Sequence, residues 1–249
     1  SLFKVAFLLP SLKFGGAERV ALTLAKAMKA LGIDVDFLLM SYQGEFLAEA
    51  EAAVNVVDLK VDKTYKLPTA LSAYVLKSRP DMLISSFWKL NLCACLVKIR
   101  HPQLKLLLWE HSMVSRSRNS PVYLYAPTAS ILYRAADKII AVSNGVRNDI
   151  VSHTVGLNRK IDVIYNPIAP PDAILLDASK NELNNADAKQ IIWVGRLAEP
   201  KNPGLMLEAF SKLPNVSNAV LTFVGDGYMR AELERRSDEL GLRNRVKFL

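Results

Sequence analysis

Four short stretches of this 249-residue chain carry residue types and spacings suited to chemistry. In Leu9-Pro10-Ser11-Leu12-Lys13-Phe14-Gly15-Gly16-Ala17-Glu18-Arg19-Val20, a strand-like run passes through two adjacent glycines into a helical pattern. Lacking Cβ atoms, Gly15 and Gly16 let the backbone turn tightly and let a ligand approach. The first turn of the following helix then offers unpaired N–H groups and partial positive charge, which suits phosphate. A tight strand-to-helix turn without a ligand accounts for the same residues, and no GxGxxG occurs to favour a dinucleotide. In Trp193-Val194-Gly195-Arg196-Leu197-Ala198-Glu199-Pro200-Lys201-Asn202-Pro203-Gly204, Arg196 and Lys201 follow a strand. A guanidinium fork and a point-charge ammonium five residues apart can grip a diphosphate together, or stand as solvated loop cations. In Phe223-Val224-Gly225-Asp226-Gly227-Tyr228, two glycines bracket a turn in which Asp226 is expected to cap the next helix rather than meet a ligand.

The fourth stretch is Leu108-Trp109-Glu110-His111-Ser112. Of three histidines, His111 falls at the C-terminal end of a strand, where open α/β sheets bind ligands, and it could equally be a satisfied structural ring. His101 and His153 fall at loop or helix-end positions where no partner is expected. Glu110 is grouped with His111 as a cleft residue, and Gly195 and Asn202 with the cation loop. No His, Cys and carboxylate cluster has metal spacing, and neither GxSxG nor GxxxxGK[ST] is present. Cys93 and Cys95, two apart in a helical pattern, point to different faces and are expected to be reduced core residues.

The elements that must position these residues alternate regularly. Strands are expected at Val5–Leu9, Val35–Met40, Val54–Leu59, Met82–Ser86, Leu104–Trp109, Lys138–Val142 and Asp162–Ile164. Helices are expected at Ala17–Leu31, Pro68–Lys77, Trp88–Arg100, Tyr123–Ala136 and Asn144–Ser152, the first stopped by Gly32. Near-continuous apolar strands joined by helices imply a doubly wound parallel sheet covered on both faces. Asn166-Pro167, Pro170-Pro171 and the polar run Ser179–Lys189, with turn formers Asn181, Asn184, Asn185 and Asp187, read as a linker over 168–189 between a domain at 1–167 and another at 168–249. The second α/β run has strands at Ile191–Val194, Ala219–Val224 and Val246–Leu249 and helices at Gly204–Leu213 and Met229–Leu240. Three strands and two helices make a poor free-standing domain, so the sequence is expected to be part of a longer protein.

Composition bounds the partners. At 51% hydrophobic residues the chain is a folded globular protein, not a disordered or collagen-like one. Of its net charge of +8, all belongs to the first two thirds: 21 basic and 13 acidic residues through Asn166, against 11 of each from Pro167. Lys98, Arg100, Lys105, Arg116 and Arg118 face only Glu110 in the stretch 98–118. With Trp88, Trp109 and Tyr123 they suit an anionic membrane leaflet, each cation being worth about 1 kcal/mol near such a surface, and they equally suit plain solubility. Nucleic acid is not an expected partner, since no basic run with interleaved aromatics appears. No basic segment with a cleavable apolar stretch precedes Val5, and runs such as Leu92–Val97 are far short of the ~20 residues that span a bilayer. The expected location is cytoplasmic, or peripheral on the inner face of the cytoplasmic membrane.

Taken in order, Gly15-Gly16-Ala17-Glu18-Arg19-Val20, Glu110-His111-Ser112, Ala141-Val142-Ser143, Val163-Ile164-Tyr165-Asn166-Pro167, Gly195-Arg196-Leu197 with Lys201-Asn202, and Val224-Gly225-Asp226-Gly227 resemble the retaining glycosyltransferases of family 4, over essentially the whole chain. The resemblance implies the GT-B architecture of two Rossmann-like domains, an acceptor-binding one first and a donor-binding one second. It implies transfer of a sugar from a nucleotide diphosphate sugar, UDP-sugar favoured and GDP-sugar also open, to a glycan or lipid-linked acceptor, in polysaccharide, lipopolysaccharide or glycolipid biosynthesis. Gly15 and Gly16 would form the loop reaching toward the donor diphosphate. His111 would bond the transferred sugar and stabilise charge, and Arg196 and Lys201 would hold the diphosphate, so that neither a metal nor another cofactor is expected. The family's two glutamates separated by seven residues do not occur; Glu232 and Glu239 have six between them and lie too early. They are expected beyond Leu249, and activity is not expected of these 249 residues alone. A GT-B epimerase or phosphorylase, or a nucleotide-sugar-binding module without catalysis, would share most of these residues.

Overall fold

A computed structural model describes residues 3–116, 122–167, 189–213 and 218–249. The chain forms two compact units, Ser1–Pro170 and Pro171–Leu249. The linker expected over 168–189 lies, apart from Lys189, outside the described residues.

The first unit runs β1 (Lys4–Leu9), α1 (Gly16–Ala30), β2 (Asp34–Leu39), α2 (Leu47–Glu51), β3 (Asn55–Asp58), α3 (Leu67–Ser78), β4 (Met82–Ser86), α4 (Trp88–Arg100), β5 (Lys105–Glu110), α5 (Val122–Leu132), β6 (Lys138–Ala141), α6 (Asn144–His153) and β7 (Ile161–Val163). Its sheet has the order β3-β2-β1-β4-β5-β6-β7 with every pairing parallel. Side chains alternate across the strands: Val5, Phe7 and Leu9 enter one core with Leu22, Phe37 and Trp109, while Ala6 and Leu8 enter the other with Leu71, Ala94 and Tyr133. Both faces are therefore covered, as a parallel sheet requires. The chain moves outward from β1 to β3 and then returns to β4 on the other side of β1, so the carboxyl ends of β1 and β4 flank the switch point at which such sheets bind ligands.

The elements match the expected ones to within one or two residues, with two differences. Leu47–Glu51 is a helix that sequence periodicity does not announce, because five residues are too few to show one. The helix expected to end at Ala136 is α-helical only to Leu132 and tightens into a 3₁₀ turn over Tyr133–Ala135. Cys93 and Cys95 are free and buried. Buried Asp36, in β2, is satisfied locally: it receives the Tyr74 hydroxyl, Asn55 Nδ2 at 3.0 Å and Lys4 Nζ at 2.9 Å. These partners hold its carboxyl below the usual range although burial alone would raise it.

The second unit runs β8 (Gln190–Val194), α7 (Pro203–Ser211), β9 (Val220–Val224), α8 (Arg230–Glu239) and β10 (Val246–Phe248), with parallel order β10-β9-β8. One sheet face packs Leu221, Phe223 and Val246 on Leu207, Phe210 and Leu233. On the other, Ile192 and Val194 remain 65% and 74% exposed.

Candidate active site

In the first unit, the carboxyl ends of β1, β4 and β5 carry the glycine loop, Ser86 with Phe87, and His111. Gly15 precedes α1 in extended backbone, φ −163°, which any residue adopts, so its lack of a side chain needs another reason. A Cβ there would meet only the end of the flexible Glu18 side chain, which can turn aside, so packing does not demand glycine at this position. Nothing lies within 4 Å of where a Cβ on Gly16 would point. The space beside the first turn of a 15-residue helix is thus open, the arrangement that favours an anion.

Trp109 and His111 project on one side of β5 and Glu110 on the other, by the two-residue period of a strand. His111 lies against Trp109, ring centroids 4.5 Å apart, and against Phe87 at 5.7 Å; its Nε2 is 3.4 Å from Ser86 Oγ. Its Nδ1 is enclosed without a hydrogen-bond partner, a condition that a bound polar group would relieve. Burial pushes the imidazole down to about 4, so the ring is neutral at pH 7. A neutral imidazole can still bond a hydroxyl but brings no positive charge of its own.

Glu110 is 3% exposed and does not line the cleft expected of it. It turns into the opposite core, where Asn91 Nδ2 donates to it at 3.0 Å and the Tyr133 hydroxyl also donates. Burial raises its carboxyl to about 7 against the lowering effect of these two bonds. The other two histidines, expected to lack partners, have them: His101 Nε2 is 2.6 Å from Ser72 Oγ, and His153 Nδ1 is 3.5 Å from Asp149.

Phe87 was not identifiable as special from sequence. Its φ of +71° leads into α4, a left-handed backbone that costs a bulky residue on the order of 1–3 kcal/mol and is found where a site constrains the chain. The only sequence signal nearby is Ser85-Ser86, two polar residues ending a buried strand.

In the second unit, the loop after β8 carries Arg196 and Lys201, both exposed. It is bonded to the loop after β9: Gly195 N donates to Val224 O at 3.0 Å, Leu197 N to Asp226 O at 2.9 Å, and Met229 N to Leu197 O at 3.0 Å. A side chain on Gly225, at φ +132°, would overlap the Gly195 carbonyl, and one on Gly227 the Leu197 carbonyl. Asp226 does not cap α8 as expected; its carboxylate takes the N–H of Gly227 at 2.8 Å. Asn202, grouped with the cleft by sequence, is the N-cap of α7, at φ +48° with Oδ1 3.4 Å from Leu205 N. Gly195 would bring a Cβ within 3.1 Å of the Trp193 ring.

The family model described as Glycosyltransferase Family 4 matches residues 14–170, and that described as Glycosyl transferases group 1 matches residues 177–249. The chain belongs to Glycosyltransferase Family 4. It is 26% identical, over its whole length and 68% of the relative's, to a Campylobacter jejuni enzyme named GalNAc-alpha-(1->4)-GalNAc-alpha-(1->3)-diNAcBac-PP-undecaprenol alpha-1,4-N-acetyl-D-galactosaminyltransferase. Over 95% of its length and 64% of the relative's, it is 25% identical to the lipopolysaccharide core biosynthesis glycosyltransferase LpsE of Rhizobium meliloti. This family 4 chain thus spans about two thirds of the length of such relatives. Its fold is shared with Anabaena Alr3699/HepE, solved in complex with UDP, at TM-score 0.77 and 22% identity over 99% of this chain and 69% of that one. The doubly wound, two-unit GT-B class expected from sequence is the observed one.

Proposed function

We propose that this family 4 chain supplies the acceptor-binding domain, residues 1–167, and the first part of the donor-binding domain, residues 168–249, of a glycosyltransferase. It moves a sugar from a nucleotide diphosphate sugar, UDP-sugar above GDP-sugar, to a glycan or lipid-linked acceptor on the cytoplasmic side, with retention of anomeric configuration. The match of a glycosyltransferase family model to each unit carries the reading. The names of the two relatives, one referring to an undecaprenol-linked glycan and the other to lipopolysaccharide core biosynthesis, support the acceptor class. The UDP complex of the structural neighbour supports the donor.

In this reading His111, neutral and held by Trp109 and Phe87, bonds a hydroxyl of the transferred sugar. The glycine loop leaves the donor diphosphate access to the first turn of α1. Arg196 and Lys201 offset the charge that develops on the leaving diphosphate, which preorganised cations do without a metal or other cofactor. Glu110 is a positioning residue for the end of β5, acting through Asn91 and Tyr133.

Titration of the full-length enzyme with UDP tests the diphosphate assignment. Arg196→Ala and Lys201→Ala should each weaken binding roughly tenfold or more, as loss of a charged hydrogen bond does, with melting temperature retained. Undiminished affinity in both variants would sink it. An alternative epimerase reading is compatible with the fold, which is shared with a putative UDP-N-acetylglucosamine 2-epimerase from Listeria monocytogenes at TM-score 0.61 and 12% identity. It would release free sugar without an acceptor, which product analysis distinguishes.

A further inference from the structure

The loop between β1 and α1 presents an aromatic ring that the proposed function leaves unused. Phe14, directly before Gly15-Gly16, is 62% exposed. A single exposed phenylalanine is ordinary on a protein surface, but this one is held in place by a chain of fixed partners. Its ring meets the Phe46 ring edge to face, centroids 4.9 Å apart and planes at 84°. Phe46 is buried and carries the Arg19 guanidinium over its ring at 4.5 Å. Glu49 in turn receives Arg19 Nη1 on both carboxylate oxygens, at 2.8 and 3.0 Å. The backbone is fixed as well: Phe14 N donates to Glu45 Oε2 at 2.8 Å, Leu12 N to Gln43 O at 2.9 Å and Phe46 N to Leu12 O at 3.0 Å. Gly44, at φ +129°, permits this close approach, because a side chain there would overlap the Leu12 carbonyl.

The ring also stands at the ligand-binding end of the first unit. Ala21 and Leu22 of α1 pack with Leu12 and Phe46 in the same core as Trp109, so the glycine loop and His111 share one face of the sheet as well as its carboxyl end. The strands that lead to them, β1 and β5, are separated by β4 alone, which sets their ends about 10 Å apart. Phe14 is thereby placed beside the sugar that His111 bonds in the proposed function, not upon it. Two of the tryptophans expected at a leaflet are used differently: Trp109 is buried against His111, and Trp88 packs on Tyr125 at 6.1 Å. Arg118, one of the cations expected there, lies outside the described residues.

We propose that Phe14 is a specificity-determining residue whose exposed ring stacks on a pyranose ring of the acceptor glycan. The face of a pyranose that carries several C–H bonds and no hydroxyl is weakly apolar, and the negative face of an aromatic ring attracts those polarised hydrogens. A phenyl ring therefore selects sugars by the face from which hydroxyls are missing, and separates sugars that differ in the orientation of one hydroxyl. Arg19 and Phe46 brace the ring without meeting the ligand, so little side-chain freedom is left to lose on binding. The inference deepens the acceptor reading of the first unit and rests on it.

The test is saturation-transfer NMR of the full-length enzyme, in the presence of UDP, with methyl β-galactoside, methyl β-glucoside and methyl α-N-acetylgalactosaminide as probes. At least one is expected to receive saturation at the ring protons of a single face. Titration of that probe should show binding about tenfold weaker in Phe14→Ala and in Phe14→Leu, and within about twofold of wild type in Phe14→Tyr, which keeps the ring. All three variants should retain the wild-type melting temperature and UDP affinity, since the side chain is largely exposed. Equal binding by Phe14→Ala and wild type overturns the proposal, and so does a wild type that binds UDP and none of the glycosides. Undiminished binding by Phe14→Leu overturns it too, because an apolar side chain of any shape would then suffice. UDP affinity lost in Phe14→Ala places the ring at the donor instead. Glycoside binding as expected, with no UDP binding by any form, upholds the stacking residue and rejects the donor assignment.

Discussion

Glu110 and His111 are adjacent in sequence, yet burial moves their protons in opposite directions. The Glu110 carboxyl, raised from 4.5 to about 7, stays protonated in the fold where the unfolded chain would ionise it. Its contribution to stability is complete below about pH 4.5 and is lost as pH rises through about 7. The His111 imidazole, lowered from 6.5 to about 4, contributes fully above about pH 6.5 and loses its contribution as pH falls through about 4. Between pH 4.5 and 6.5 the two slopes oppose. Urea unfolding across that range should therefore separate them: Glu110→Gln leaves stability climbing with pH by up to about 1.4 kcal/mol per unit, and His111→Asn leaves it descending by a similar amount. Parallel pH profiles for both variants and the wild type would contradict these assignments. Strand alternation alone could have placed Glu110 away from His111, since consecutive strand residues face opposite ways. Proximity in the motif Glu110-His111-Ser112 obscured it. Phe87 and Ser86 were not legible, because a positive φ and a neighbour 25 positions away leave no trace in local composition.

The glycines in the loops and helix starts are constrained to different degrees, and substitution separates them. Gly225 is fixed by its left-handed φ of +132° and by the Gly195 carbonyl lying where a side chain would go. Gly225→Ala should cost the second unit about 2 kcal/mol or more, read as a lower unfolding midpoint. Gly204, in the first turn of α7 with open space around it, has neither constraint, so Gly204→Ala should be neutral or stabilising by up to about 1 kcal/mol. A Gly225→Ala protein as stable as Gly204→Ala would show that the two loops are not packed as described. Gly16 has the same open space as Gly204, and in the proposed function that space is left for the donor diphosphate. At this scale the sequence was most readable: the runs of Val, Leu, Ile and Phe mark fully buried strands, and their alternation with helical periods identifies the parallel sheet. α2 was missed because it is little more than one turn, and the end of α5 because its apolar pattern continues past the point where hydrogen bonding changes to the tighter 3₁₀ form.

Across the whole chain, charge and exposed apolar surface are unevenly distributed. The basic excess belongs to the part before Pro167, and among the described residues Ile192 and Val194 are left exposed on one side of the second unit's sheet. Parallel sheets are ordinarily covered on both faces, so this surface should drive association of the 249-residue chain in solution. Ile192→Thr with Val194→Thr, at two exposed positions, should slow aggregation in light scattering while changing stability by under about 0.5 kcal/mol each. Aggregation at the wild-type rate would assign that behaviour elsewhere. The hydrogen bonds between the loops after β8 and β9 have a further consequence. The backbone around Arg196 gives up its conformational freedom when the two loops join, so that entropy is lost during folding and would not have to be lost again in the diphosphate binding proposed for its guanidinium.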